Sequence, residues 1–261
     1  MTKGQQAKLD ADLMEASLDG DLEEVQRLLA AGARVDALAK NRWQPLHFAA
    51  GKGNLSVVKF LVEKGAEVDA LNKEGETPLY HAVAMGQLSV VKFLHGRGAK
   101  LDIQGRNGLP ALHVAAGHGC LPVLKFLLEN GAPVDVEGED GNTALHVAVH
   151  KDCLPEVKFL VHEGAKVNAV DHYGWTPLHC VVGLSVAKFL LEEGADPLAQ
   201  DINGHSPLSL AEDDPGILVL LRKWSTPEFQ ERRRQMGIAK DVQAHWKRVR
   251  KHLPPGPKPG L

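Results

Sequence analysis

The chain has 261 residues, of which 44% are hydrophobic and 24% charged, a composition typical of globular proteins. No apolar run approaches the roughly 18 residues that a membrane-spanning helix needs, and no apolar segment of secretory-signal type follows the polar residues 1–6. Three cysteines do not form a disulfide framework, so we expect the protein inside the cell, where thiols stay reduced.

The formal net charge of −3 conceals an uneven distribution. Residues 226–261 hold nine Lys or Arg against three Asp or Glu, whereas the rest of the chain holds 21 against 30. An acidic body of charge −9 is therefore followed by a basic tail of charge +6.

Three sequence features recur at a step of 33 residues. Gly-Ala pairs, Lys-Phe pairs and the residue that opens each segment all keep this step, and all then show one step of 30. The opening residues are Pro45, Pro78, Ala111, Ala144, Pro177 and Pro207. Because three independent markers agree on one period and one deletion, the chain contains an internal repeat.

One period predicts a turn, a helix, a second turn and a second helix. In Thr176-Pro177, threonine is a good N-cap and proline fits the first helical position, where its missing N–H costs nothing. The second helix has apolar residues at helical spacing and ends at a glycine suited to the left-handed C′ position, such as Gly65. One such unit cannot cover its own apolar face, so neighbouring units must stack.

The 33-residue period and the motif Thr176-Pro177-Leu178-His179 resemble the ankyrin repeat. The resemblance covers about residues 8–224 and implies an all-α solenoid of stacked helix-turn-helix units with β-hairpin-like turns. We expect residues 1–224 to form one ankyrin repeat domain, with its first and last units as caps, and residues 225–261 to form a basic tail. The seven units are counted by one leucine each: Leu13, Leu46, Leu79, Leu112, Leu145, Leu178 and Leu208.

Several units depart from the repeat. The first unit is more polar than the later ones, which suits a solvent-facing cap. Arg42 stands where the other units have a turn glycine, so a positive φ there would strain it modestly. Pro110 replaces the capping threonine, which predicts a weaker start of unit four. Unit six lacks three residues between Gly183 and Leu184, which predicts a shortened turn between its helices.

One position of the first helix carries histidine in four units, at His47, His113, His146 and His179. A histidine row could suggest a metal site, but stacked units lie about 10 Å apart, whereas zinc ligands lie about 2 Å from the metal. The resemblance implies instead that each imidazole binds neighbouring backbone and braces a turn. The same spacing places Cys120 and Cys153 beyond the reach of about 7 Å for a disulfide.

The sequence contains no motif of a metalloprotease, a phosphate-binding loop or a nucleophile elbow. Its many glycines recur with the turns. We therefore predict no enzymatic activity, no catalytic residue, no metal and no cofactor.

The second helices carry a row of lysines: Lys59, Lys92, Lys125, Lys158 and Lys188. Glutamate follows three of them at i+4, as in Lys59 and Glu63, and such pairs stabilise helices by a few tenths of a kcal/mol. We interpret the row as a solvated outer face, with a groove for an acidic partner as the alternative.

The resemblance implies a concave binding surface made of turn tips and first-helix ends. Tip aromatics suit a binding hot spot, although Trp43 and Trp175 could instead lie against the adjacent hairpin. The tips change from basic in units two to four to acidic at Glu139-Asp140, which favours a protein of mixed charge over bare nucleic acid. The predicted partner-binding residues are Lys40, Trp43, Lys52, Met85, Arg106, Leu109, His118, Lys151, His172, Tyr173 and Trp175.

Asn168 is a candidate modification site. It replaces the aspartate of other units, such as Asp135, and Leu160 stands eight residues before it. The segment resembles the sites at which an oxygen-dependent hydroxylase modifies asparagine in ankyrin repeats. Ordinary turn chemistry, which suits Asn and Asp alike, is the alternative.

The tail predicts an amphipathic helix over about residues 227–252, followed by a disordered segment rich in proline and glycine. Four roles remain open for it: an extended cap on the last unit, a bipartite nuclear-localisation signal, a membrane-surface or calmodulin-like target helix, and nucleic-acid contact. The residues of the candidate localisation signal are Arg232, Arg233, Arg234, Lys247, Arg248, Arg250 and Lys251.

These observations predict a monomeric, non-catalytic interaction module (scaffold, adaptor or inhibitor) that binds a protein and no small-molecule substrate. We expect it in the cytoplasm, or in the nucleus if the basic clusters direct it there. The alternative is a nuclear or membrane-directed regulator that acts through its basic tail. Contact with nucleic acid or membrane is expected only through that tail.

Overall fold

The computed structural model describes residues 2–105, 108–231 and 235. Within these ranges the chain forms helices and turns, and its β-structure consists of two isolated antiparallel bridges, Gln104 to Pro110 and Glu137 to Thr143. The prediction of an all-α solenoid of helix-turn-helix units is confirmed.

The helices come in pairs, and each pair is one unit. Units one to three contain α1 (Lys3–Asp19) with α2 (Leu22–Ala30), α3 (Pro45–Lys52) with α4 (Leu55–Glu63), and α5 (Pro78–Ala84) with α6 (Leu88–Gly96). Units four and five contain α7 (Ala111–Gly117) with α8 (Leu121–Glu129), and α9 (Ala144–His150) with α10 (Leu154–His162). Unit six pairs the 3₁₀ turn Pro177–Cys180 with α11 (Leu184–Glu192), and unit seven pairs α12 (Pro207–Leu210) with α13 (Pro215–Trp224).

The units stack in sequence order, with first helices against first helices and second helices against second helices. Their apolar faces merge into one continuous core, in which the marker leucine of units one to six is buried. Leu208 of unit seven, the last unit among the described residues, is only partly buried. Each unit thus buries an apolar face that it could not cover alone.

Unit one begins earlier than the sequence suggested, because α1 already starts at Lys3. Its Asp10 is buried and binds Arg34 in the loop after α2, with Oδ2 2.7 Å from Nη2 and Oδ1 2.9 Å from the backbone N. Burial opposes ionisation of Asp10, but the hydrogen bonds from Arg34 outweigh it and hold the pKa of the carboxyl below its usual value. This ion pair fastens the long first helix to the end of its own unit.

The backbone strain expected at the tip of unit two is present. Arg42 has φ of 60° and its neighbour Asn41 has φ of 65°. At the position of Arg42 the later units have glycines with φ between 62° and 80°, of which Gly75 is one. A side chain in this region carries a steric cost that glycine does not.

Unit six accommodates its deletion differently from the prediction. The missing residues shorten the first helix itself, which is reduced to the 3₁₀ turn Pro177–Cys180, and not only the turn that follows. Val181 is already extended, with ψ of 135°, and Gly183 leads directly into α11. The second helix keeps its full length because its apolar face forms the contact with units five and seven.

The lysine row contacts the next unit more than its own helix. In four of the five lysines, Lys59, Lys92, Lys125 and Lys158, Nζ lies over a phenylalanine ring of the following unit, at 6.0 Å for Lys59 on Phe93 and 5.3 Å for Lys125 on Phe159. Within the described ranges, the expected i,i+4 ion pair forms only between Lys188 and Glu192, at 4.0 Å. The recurring Lys-Phe pair therefore makes cation–π contacts between neighbouring units, each worth at most about 1 kcal/mol at an exposed site.

The histidine row connects the units, as the resemblance implied. Each imidazole Nε2 lies within hydrogen-bond distance of a backbone carbonyl of the next unit, for example His146 with Trp175 O at 3.0 Å and His47 with Glu76 O at 3.2 Å. In units two, five and six Nδ1 accepts the backbone N–H of the N-cap residue, as from Thr143 at 3.1 Å. Because Nδ1 accepts, Nε2 must donate, and the neutral imidazole satisfies both groups.

Unit four lacks one of these bonds. Its N-cap is Pro110, which has no N–H, and among the buried side-chain atoms of the described residues Nδ1 of His113 is left without a hydrogen-bond partner. Nε2 still binds the next unit through Asn142 O at 2.9 Å. A buried acceptor without a partner costs about 1–3 kcal/mol. The weaker start predicted for unit four thus includes an unsatisfied histidine.

Replacing Pro110 with Thr should therefore stabilise the protein. The new N–H and hydroxyl would serve His113, and the loss of proline rigidity removes only about 0.4–1 kcal/mol, so we expect a net gain of about 1 kcal/mol in the free energy of unfolding. Urea denaturation at pH 7.5 measures it. Pro110→Ala separates the two contributions, since it restores the N–H alone. An unchanged or lower midpoint for both variants would contradict this account of unit four.

Candidate binding surface

The turn tips of units three, six and seven are held in shape by side chains at their bases. Oδ1 of Asp171 accepts the backbone N–H groups of Tyr173 and Trp175, at 2.9 and 2.8 Å. Asp201 and Asn72 bind the backbone of their own tips in the same way. A side-chain acceptor of this kind fixes a turn locally, so these tips are formed before any partner arrives.

Neighbouring tips are also joined by backbone hydrogen bonds. His172 N donates to Asp140 O at 2.9 Å, and Ile202 N donates to Tyr173 O at 3.0 Å. At the other end of the row, Lys73 N donates to Asn41 O at 2.8 Å. The tips of units five, six and seven therefore form one continuous edge.

In the N-terminal half, the side chain of Trp43 packs against aromatic rings of its own unit and of the next unit. Its ring is 5.0 Å from the ring of Phe48 and 4.2 Å from that of His81 in unit three. The side chain is half-buried, as expected if the tryptophan packs on the adjacent unit, and its role in binding stays a prediction. The other predicted binding residues of this half, Lys40, Lys52 and Met85, are exposed.

The middle units offer less exposed surface at the predicted positions. Leu109 is half-buried, whereas His118 and Lys151 are exposed at the ends of α7 and α9. Nδ1 of His118 lies 3.0 Å from Val114 O, so this imidazole is held by its own helix. Arg106, also predicted to bind, lies outside the described residues.

Two aromatic residues are exposed at the tip of unit six. Tyr173 is 53% exposed and Trp175 is 36% exposed, beside the exposed His172. The indole of Trp175 is fixed, because Nε1 donates to Oδ2 of Asp201 at 3.2 Å and the ring stacks on His179 with 6.0 Å between centroids. Trp175 therefore both joins unit six to unit seven and presents a rigid apolar face to solvent.

The carboxylate that holds Trp175 stays charged. Burial opposes ionisation of Asp201, but hydrogen bonds from the backbone of His205 and Asn203 and from the indole lower its pKa below the usual value. A negative group is thus fixed at the edge of the exposed aromatic ring, where it accepts the indole N–H.

One prominent residue of this surface stands at a tip position but was not chosen from the sequence as a binding residue. Ile202, at the tip of unit seven, is 69% exposed and directly follows Tyr173 along the row of tips. It was not among the predicted binding residues, although an aliphatic side chain at a turn tip was a visible signal. Its bond to the backbone of Tyr173, which brings the two side chains to one edge, could not be read from the sequence.

Asn168 connects two loops. Its Nδ2 donates to Gly194 O at 3.0 Å and its Oδ1 accepts from Asp196 N at 2.9 Å, so the loop after unit five is bound to the loop after unit six. Asp135 binds Lys166 N at 3.0 Å in the same manner one unit earlier. The side chain makes the turn contacts of the alternative interpretation, and hydroxylation of Asn168 stays a prediction.

The described chain ends at the start of the tail. Residues 227–231 are helical, and Phe229 lies 5.1 Å from the ring of Trp224 at the end of α13. The rest of the predicted helix and the segment predicted to be disordered lie outside the described residues. The same holds for the candidate localisation residues Arg232, Arg233, Arg234, Lys247, Arg248, Arg250 and Lys251.

The thiols have little nucleophilic character. Burial raises the pKa of Cys180 to about 12 and also raises the pKa values of Cys120 and Cys153, so all three stay protonated at neutral pH. In the part of the chain that the structure describes, no cluster of three or more His, Cys, Asp or Glu could hold a metal ion. No helix of that part is long and apolar enough to span a bilayer.

Comparisons with known proteins agree with this architecture. The family model described as ankyrin repeats matches three times, over residues 13–105, 95–171 and 112–201. Among solved structures, the chain is similar to the crystal structure of the human ASB11 ankyrin repeat domain, with a TM-score of 0.76 and 30% sequence identity over 82% of this chain and 98% of that chain. No curated protein matches the chain. The family model thus covers the chain from residue 13 to residue 201, and the chain belongs to the ankyrin repeat family.

Proposed function

We propose that this protein is a non-catalytic scaffold, adaptor or inhibitor that holds a protein partner on the concave surface of turn tips and first helices. Ankyrin repeats are in general protein-protein interaction modules without enzymatic activity. The observation that carries the proposal is the exposed pair Tyr173 and Trp175 on tips that are already fixed.

Two physical arguments support this surface. When a partner covers exposed aromatic side chains, their apolar surface is removed from water, which favours binding. Tyr and Trp are also enriched among binding hot spots. Because the backbone of the tip and the indole of Trp175 are held by Asp171 and Asp201, little conformational entropy is lost on binding.

The second candidate, a nuclear or membrane-directed regulator acting through the tail, rests on the basic clusters of the sequence alone. The contact of Phe229 with Trp224 favours instead the capping role for the start of the tail. Intracellular location and a monomeric state also stay predictions.

Replacing both Tyr173 and Trp175 with Ala should lower the capture of protein partners at least tenfold, because the variant removes the exposed apolar contact. Affinity purification with the intact chain and quantitative mass spectrometry measure the loss. Leu71→Ala is the matched control, since Leu71 is 52% exposed at the base of another tip. Thermal melts identify any loss of folding. The single variant Tyr173→Ala is the second test, because it leaves the hydrogen bond between Trp175 and Asp201 in place. Unchanged capture by folded variants would refute this surface.

A further inference from the structure

The negative charge of the body is confined to its C-terminal units. Residues 1–133 hold fifteen Lys or Arg and fifteen Asp or Glu, whereas residues 134–225 hold six and fifteen. The first half of the solenoid is therefore neutral, and units five to seven with the loops before them carry the whole charge of −9. Any partner of this end meets a negative potential.

The exposed apolar side chains of units six and seven lie in this acidic region. Tyr173, Trp175 and Ile202 form what we call the apolar patch, and its members come from two tips joined by the Ile202 N to Tyr173 O bond. The tips are in close contact: a Cβ added at Gly174 would lie 3.1 Å from Asp201 Cα. The patch is thus a contiguous surface on a rigid edge.

Carboxylates border the patch on one side. Asp140 and Glu139 at the tip of unit five are exposed, and the bond from His172 N to Asp140 O places that tip directly beside the tip of unit six. The buried carboxylate of Asp201 accepts the indole N–H of Trp175 at the edge of the ring. The four-residue tips of units five to seven contain no Lys or Arg, whereas the tip of unit two contains Lys40 and Arg42.

From this arrangement we infer that the apolar patch binds a segment of another protein in which an arginine adjoins a large apolar side chain. The inference rests on the proposed function and specifies the chemistry of its partner. The apolar side chain covers Ile202 and Tyr173, and the guanidinium stacks on an aromatic face and pairs with Asp140 or Glu139. Arginine suits this better than lysine, because its planar group can stack and bind a carboxylate through two N–H groups at once. The acidic border repels nucleic acid and anionic membranes.

Selection from a random peptide library displayed on phage, with the full chain as target, tests the partner chemistry. We expect enriched peptides to carry Arg within two residues of Leu, Phe, Tyr or Trp. Replacing that Arg by citrulline, which keeps the shape and removes the charge, should weaken binding of the synthetic peptide at least tenfold. Enrichment of acidic or arginine-free peptides would overturn the inference.

Variants of the protein locate the site. The double variant Glu139→Gln with Asp140→Asn should weaken binding of the same peptide at least fivefold. The control variant, Glu63→Gln with Glu67→Gln, changes exposed carboxylates of unit two and should leave the affinity unchanged. If Tyr173→Ala weakens binding and the Glu139 and Asp140 variant does not, the charge argument fails while the proposed function stands. If neither variant weakens binding of the peptide, the inference and the proposed function both fail. If removal of residues 236–261 tightens peptide binding tenfold, the apolar patch is normally covered by the protein's own basic tail. The inference that it binds a segment of another protein would then be wrong.

Discussion

Lowering the pH from 7 to 5 should reduce the free energy of unfolding by at least about 2 kcal/mol, because the histidines that connect the units must stay uncharged in the folded state. Burial lowers the pKa of His47 to about 4, and it also lowers the pKa values of His113, His146 and His179. In the unfolded chain these side chains have the ordinary pKa of about 6.5. The unfolded state therefore binds more protons, and stability falls as the pH drops below about 6.5.

The hydrogen bonds explain why protonation is so unfavourable. A proton on Nδ1 of His47 would face the backbone N–H of Gln44, 3.2 Å away, and the bond would be replaced by repulsion between two donors. The nearby His81 disfavours the charge further, whereas Glu76 favours it, but burial is the largest contribution. For His47 alone, a pKa of about 4 against 6.5 gives about 2 kcal/mol of lost stability at pH 5.

Urea denaturation followed by circular dichroism at pH 7.5, 6 and 5 measures the effect. His47→Gln should lower stability at pH 7.5 but make it less dependent on pH, by about 2 kcal/mol between pH 7.5 and 5. His162→Gln, at an exposed site on α10, is the control for replacing a histidine with glutamine. A His47→Gln variant with the pH dependence of the natural protein would show that the connection between units two and three does not titrate.

The repeat itself was predictable because it depends on local chemistry. Threonine or serine caps, prolines at the first helical position and glycines after the second helix fix each unit, and stacking follows from the uncovered apolar face. The strain at Arg42 and the existence of a histidine row followed from comparing equivalent positions within the chain, whereas the bonds of these histidines to neighbouring backbone were implied by the resemblance to the ankyrin repeat. What a residue does inside one unit could be predicted from its position in the period.

Contacts between units were harder to predict. The lysine row was assigned to its own helix, because i,i+4 pairs are visible in a sequence, whereas the rings that Lys59 and Lys92 cover belong to the next unit. Trp175 was noticed as an exposed aromatic residue, but its bond to Asp201, 26 residues away, depends on how two tips pack. The loss of helix in unit six likewise depends on α11 keeping its place in the stack.

Gly105→Ala should destabilise the protein by about 2–3 kcal/mol, because unit three departs from the histidine row. Tyr80 takes the place of histidine, and its buried ring occupies the space beside Gly105. A Cβ at Gly105 would lie 2.2 Å from Cζ of Tyr80 and 2.6 Å from its Oη. The ring is 6% exposed and cannot move aside freely, so the added methyl overpacks the core.

The same contact predicts a rescue. A histidine leaves more room than a tyrosine, since a Cβ at the equivalent Gly138 would lie 3.6 Å from Nε2 of His113. The closer atom at Gly138 is Oδ1 of Asn142, at 2.6 Å, and the tip of unit four has Leu109 in place of Asn142. Tyr80→His combined with Gly105→Ala should therefore be more stable than the sum of the two single changes predicts, with a coupling energy of about 1–2 kcal/mol in a double-mutant cycle. Gly96→Ala, where an added Cβ meets nothing within 4 Å, controls for the effect of Ala in place of Gly.

The cycle is measured by urea denaturation of the four proteins at pH 7.5, where the new histidine is uncharged. Additive effects would mean that Tyr80 and Gly105 do not share one space. Coupling of the expected sign would show that the glycine is required by the tyrosine of the preceding unit rather than by its own turn. It would also mean that a side-chain acceptor such as Asn72 or Asp171 could not stand at position 105 beside the ring of Tyr80, whereas unit five has its glycine, Gly138, beside a histidine.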